Sequence, residues 1–189
     1  MKLLDQDETT QTISLAFEEK PEVTLQLLRF MNSGSLNLNA KIRSIAHAIT
    51  LLGKPPLKQW LLLMSFSKSG NAQIQASPLL DLARSRAKLM AELMKKISDD
   101  PLRSHEAALV GILSLIDVMT QTSIEVVLTE LDMDDTIVNA LTKKEGTLGI
   151  LLELVIAIQE GDLYKTNFLL ESLNISQSAL RESLIASFR

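Results

Sequence analysis

LQLLRFMNSG (residues 25–34), IRSIAHAITLLG (42–53) and PPLKQWLLLM (55–64) read as three short helices joined by tight polar breaks. In the second, Ile42, Ile45, Ala46 and Ile49 recur at helical spacing and form one apolar stripe. Leu52 ends its apolar run, and Gly53 supplies the left-handed residue that closes it. In the third, Pro55 and Pro56 suit a first helical turn, where a missing N–H is not needed. Leu57, Trp60, Leu61 and Met64 then follow at i, i+3, i+4 and i+7. Ser44 stands where it can cap the helix that contains Ile45. Asn32 and Ser33 are turn-forming types whose short side chains bond nearby backbone. Each of these positions therefore has a structural reading before any functional one.

The same periodicity continues outward. Residues 79–97 place Leu79, Ala83, Ala87, Met90, Met94 and Ile97 on one face, with Leu82, Leu89 and Leu93 beside them and Arg84, Lys88 and Lys95 on the other side. Residues 107–119 are apolar nearly all round, which predicts one central buried helix carrying Ser114, Leu115 and Asp117. Buried there, Asp117 must find a donor or stay protonated. Residues 148–158 predict a second buried helix, interrupted only by Glu153. Ser104 is the expected N-cap of the helix that follows it, with His105 and Glu106 in the first turn; Ser176 is the expected cap of the last, over 177–188. SGNAQIQAS (69–77), ended by Pro78, is the expected mobile loop. No alternating run of apolar and polar residues and no internal repeat is present. The pattern predicts an all-α, compact bundle of about ten helices without a sheet.

The chain of 189 residues fits one domain spanning 1–189, with a core over about 21–162 and a C-terminal helical extension over 163–189. It contains no Cys, which removes disulfides and thiolate metal sites. No apolar run approaches the roughly 20 residues of a membrane span, and MKLLDQDETTQT turns acidic too early for a secretory signal. The expectation is a cytoplasmic protein. The net charge of −4 hides an asymmetry: residues 1–40 carry 3 basic and 6 acidic side chains, 41–103 carry 11 and 4, and 104–189 carry 5 and 13. Either the segments pair with one another, or a basic surface docks an acidic partner.

Leu27-Leu28, Asn32-Ser33, Ser44-Ile45 with Ala48, and Leu52-Gly53 stand in the order and spacing of the HDOD domain. That domain is a degenerate relative of the HD and HD-GYP phosphohydrolases, and the chain resembles it. The spacing LLRFMNS…SIAHAITLLG…LKQW is most similar to HDOD domains that follow an EAL domain, the cyclic-di-GMP phosphodiesterase module. AALVGILSLID and EGTLGILLELVIAIQEGD extend the resemblance to about Asp162. It implies an HD-like helical architecture and a regulatory or coupling role by partner binding in bacterial signalling. It also implies that the chain is the C-terminal part of a longer protein, or a stand-alone relative.

HD hydrolases hold divalent metals with His and Asp side chains from several helices. The resemblance puts the central His-Asp pair at Ser114-Leu115, with Asp117 one turn away. Ser is a poor ligand and Leu none. The chain has only two His, no His-Asp dipeptide, and one Tyr outside any Gly-Tyr-Pro. His105-Glu106 opens like HExxH, but position 109 is Leu. No catalytic residue, metal or cofactor is expected, and a protein partner is. Nucleic acid and membrane are not expected partners, since the basic stretch lacks aromatics and a binding motif. Arg43 and His47, and Arg84 and Lys88, are the candidate contact residues. The alternatives are a residual metal-dependent phosphohydrolase centred on Asp117 and Ser114, or a nucleotide-binding domain.

Overall fold

The computed structural model describes residues 8–32, 41–67 and 78–188. Among the described residues the chain forms twelve helices and no strand. In chain order they are α1 Thr10–Glu18, α2 Pro21–Met31, α3 Ile45–Leu52, α4 Lys54–Ser67, α5 Pro78–Ile97 and α6 Pro101–Leu113. Then come α7 Ile116–Thr120, α8 Ile124–Glu130, α9 Asp135–Thr142, α10 Gly146–Glu160, α11 Leu163–Ser172 and α12 Gln177–Ser187.

Local chemistry marks the helix ends. Ser44 accepts from the His47 backbone N–H at the start of α3, and Gly53 ends that helix at φ 79°. Asp134 caps α9, Asp162 caps α11, and Ser176 caps α12 by accepting from Ala179 N–H. α10 stops at Gly161 in the left-handed region, φ 74°.

α5 and α6 form a hairpin through the centre. A Cβ added to Gly111 would lie 2.6 Å from the Ala87 Cα, so the two backbones touch without an intervening side chain. α12 packs on α5, α10 on α9 and α11, and α1 on α3. One buried cluster runs through the whole assembly, from Ile13 and Phe17 of α1 to Leu169, Leu170, Ile175 and Leu180 near the C-terminus. Trp60 stacks near Phe17 and Phe30, at centroid distances of 6.5 and 5.8 Å.

The N-terminal helices are tied to the second half by backbone. Ile42 N–H donates to Asp132 O (3.3 Å) and Asp134 N–H donates to Ile42 O (3.0 Å), forming an isolated parallel bridge. Asn32 reinforces it: its Nδ2 donates to Leu28 O (2.9 Å) at the end of α2 and to Leu131 O (2.8 Å) across the domain. Ion pairs follow the same route, with Lys41 to Asp135 at 2.6 Å and Lys96 to Glu182 at 2.7 Å joining the basic segment to the acidic one.

Two expectations are corrected. The apolar run 107–119 is not one helix: Ser114 and Leu115 break it into α6 and α7, as Ser114 Oγ turns back to donate to Gly111 O (2.8 Å). The N-cap of α6 is Asp100, which accepts from Leu102 N–H ahead of Pro101; Ser104 is buried one turn inside and donates to Pro101 O. The twelve described helices agree with the expected all-α bundle of about ten, the breaks at 114–115 and 121–123 adding short pieces. The predicted mobile loop over 69–77 and Ser33 lie outside the described residues.

Two measurements check this account. Gly111→Ala forces backbone apart at the α5–α6 crossing and lowers unfolding free energy by about 1–3 kcal/mol in urea denaturation; an unchanged midpoint would contradict the close approach. Asn32→Ala removes two hydrogen bonds and costs about 1–3 kcal/mol. Asn32→Asp should cost at least as much, because it sets a carboxylate against two carbonyl acceptors.

Candidate functional site

An arginine reaches the position, Ser114-Leu115, where the resemblance expects a metal-binding His-Asp pair. Arg86 lies on α5 beside Ala87, so the tight crossing with α6 carries its guanidinium to the end of that helix. It is 7% exposed. Its Nη1 donates to Ser114 Oγ (2.9 Å), while Nε and Nη2 both donate to Gln159 Oε1 at the end of α10 (3.1 and 2.9 Å). Ser114 Oγ also donates to Gly111 O, so its hydroxyl proton is already committed. Leu115 contributes no ligand atom. Asp117 is half-buried in the first turn of α7, not enclosed in a long helix as expected.

A second cation stands near the first. Burial holds the Lys144 ammonium below its usual range; Glu153 opposes this, Arg86 adds to it, and Asp117 opposes it. Burial likewise lowers Arg86, against the charge of Glu160. Lys144 is held in place by the backbone: its φ is 59°, and a Cβ on Gly149 would lie 2.2 Å from its carbonyl carbon. A dication at this site would meet two positive charges in a partly desolvated setting. Among the described residues, no three His, Cys, Asp or Glu side chains converge as metal ligands.

Two further charged centres lie along α6. Glu106 is fully buried; Arg103 Nη1 donates to its Oε2 (3.0 Å), and Arg43 Nη2 lies 2.8 Å from its Oε1. The expected first-turn, dipole-facing placement of Glu106 is corrected, because α6 begins at Pro101 and turns Glu106 inward. Arg43 also reaches Asp134 (3.7 Å). Burial works to raise that carboxyl, but hydrogen bonds from Thr136 and the charges of Arg43 and Lys41 outweigh it and hold it below the usual carboxylate range. His105, also buried, pairs its Nδ1 with Glu18 Oε1 of α1 at 2.6 Å. That pair floors a cavity of about 250 Å³ between α1, α5, α6 and α12.

The expected contact residues are engaged within the chain. Arg43 is bound as described, and its backbone N–H donates to His47 Nδ1 (3.4 Å). Arg84 Nε donates to Glu19 O (2.6 Å) and its Nη1 to Asp81 (3.1 Å), while Lys88 pairs with Glu19 at 2.9 Å. Leu52 is buried in the core. Sequence reasoning missed Arg86, although a signal was present: it falls three residues after Ala83 and four before Met90, on the apolar face. Lys144, Gln159 and Glu18 carried no such signal.

Comparison with known proteins follows this geometry. The HDOD domain model matches residues 1–136. The chain is 32% identical over 148 residues to the uncharacterized protein YuxH of Bacillus subtilis, covering 77% of this chain and 35% of that one. It is 28% identical over 167 residues to a protein of Vibrio cholerae named cyclic di-GMP phosphodiesterase CdgJ, covering 88% and 38%. The chain thus spans little over a third of these curated relatives. In fold it is similar to the MmoQ response regulator of Methylococcus capsulatus, with a TM-score of 0.68, 16% identity, and coverage of 97% of this chain and 92% of that one. No helix among the described residues is long and apolar enough to cross a membrane. With the matched motifs and the helical fold in agreement, this chain belongs to the HDOD domain family.

Proposed function

We propose that this HDOD domain is a non-catalytic signal-transduction module that acts by contact with a protein partner. The observation that carries this reading is the Arg86 guanidinium, bonded to Ser114 and Gln159 where a hydrolase of the HD type needs metal ligands. A buried cation fixed by three hydrogen bonds serves the fold and repels the ion that would activate water. The finer reading is that the module regulates or couples to a cyclic-di-GMP (EAL) phosphodiesterase unit. Support comes from the Vibrio cholerae relative, whose name is that of such an enzyme and of which this chain matches 38%. A cytoplasmic location belongs to the same reading.

The rival reading, a residual phosphohydrolase using Asp117 and Ser114, finds little support in these side chains. Asp117 lies within electrostatic range of Lys144, and the Ser114 hydroxyl is taken by Arg86 and Gly111. Calorimetric titration with Mn²⁺, Fe²⁺ and Ni²⁺, followed by hydrolysis assays on cyclic di-GMP and bis-p-nitrophenyl phosphate, separates the two. The expected outcome is neither stoichiometric metal uptake nor turnover above buffer. Turnover that a chelator abolishes and that Asp117→Ala removes from a folded protein would overturn the proposal.

A further inference from the structure

α11 is apolar on two sides. Thr166, Leu169 and Leu170 face the core, as an amphipathic helix requires. Yet Tyr164 and Phe168 are 88% and 61% exposed on the opposite side, and Leu163, the first residue of the helix, is 76% exposed. Tyr164 and Phe168 stand at i and i+4, so they form one ridge along the helix surface. A single exposed apolar side chain needs no explanation, but a contiguous group rimmed by polar residues marks a contact site.

The rim is acidic. Glu160 and Asp162 lie at one end of the ridge and Glu171 at the other, all exposed. Among the described residues none of the three forms an ion pair. The one cation on α11, Lys165, is tied to Glu153 at 3.1 Å. From Asp162 to Glu171 the helix rises about 14 Å.

We infer that the Tyr164–Phe168 ridge of α11, with Glu160, Asp162 and Glu171 at its ends, docks a basic amphipathic helix of a partner protein. The inference rests on the contact-module reading and supplies the chemistry of the partner. A helix face has no unpaired backbone groups to add a strand to, so the matching surface is another helix whose groove takes the ridge. Its apolar residues cover the two rings, and Lys or Arg two to three turns apart meet the acids. A second copy fits poorly, because two-fold apposition would bring Asp162 of one chain toward Glu171 of the other. An anionic lipid surface is repelled by the same acids.

The test uses the whole chain and fluorescence anisotropy with a labelled 18-residue Leu/Lys amphipathic peptide, against the same peptide with Glu for Lys. The Lys peptide should bind and the Glu peptide should not. Tyr164→Ser with Phe168→Ser should weaken binding by roughly tenfold or more, and Glu171→Lys should weaken it and flatten its salt dependence. Circular dichroism and Tm should stay unchanged, since the altered side chains are exposed. The inference is overturned by no binding of the Lys peptide, by equal binding in either the Ser double variant or Glu171→Lys, or by a dimer in sedimentation that the Ser variant dissolves. These outcomes leave the non-catalytic reading standing, whereas metal-dependent turnover would strike that reading and leave the peptide result untouched.

Discussion

The contact between Gly111 and Ala87 is the constraint on which the rest of this domain depends. Because no side chain intervenes there, α5 and α6 run backbone against backbone, and each neighbouring residue has little freedom in where it points. Arg86, one residue before Ala87, is delivered to Ser114, three residues after Gly111. The guanidinium then holds Gln159 at the end of α10. One close approach thus sets the hairpin, the helix break at 114–115, and the position of the Arg86 charge.

Buried charge is concentrated around α6, and each charged group described there has an oppositely charged or hydrogen-bonding neighbour. Glu106 has Arg43 and Arg103, His105 has Glu18, and Arg86 has Ser114 and Gln159. Such pairs are seldom the cheapest way to fill a core, but removing one partner leaves an uncompensated charge. They make the packing of α1, α3 and α10 around α6 specific. The strong charge asymmetry of the sequence is expressed largely inside the molecule, since Lys41, Arg43, Lys96 and Arg103 of the basic segment all pair with the acidic one.

The chain has the helical scaffold of the HDOD family, and within it an arginine, Arg86, is bonded to Ser114 and Gln159. A positive charge supplied by a side chain is fixed in place by its hydrogen bonds; it does not exchange or polarise water as a metal does. What remains exposed is surface. Among the described residues, the outer face of α11 exposes Tyr164 and Phe168 between the acids Glu160, Asp162 and Glu171.

The sequence by itself determined the all-α class, the order of the first helices, the caps at Ser44, Ser176 and Gly53, and the family. These depend on periodicity and on side chains bonding their own local backbone, which are readable within a few residues. Only the tertiary structure decided that the 107–119 run is broken, that Glu106 and His105 turn inward, and that Asn32 reaches Leu131. It alone set Arg86 on Ser114 and Gln159. Those outcomes depend on partners far away in the chain, and helical spacing carries no information about which distant group will arrive to accept a hydrogen bond.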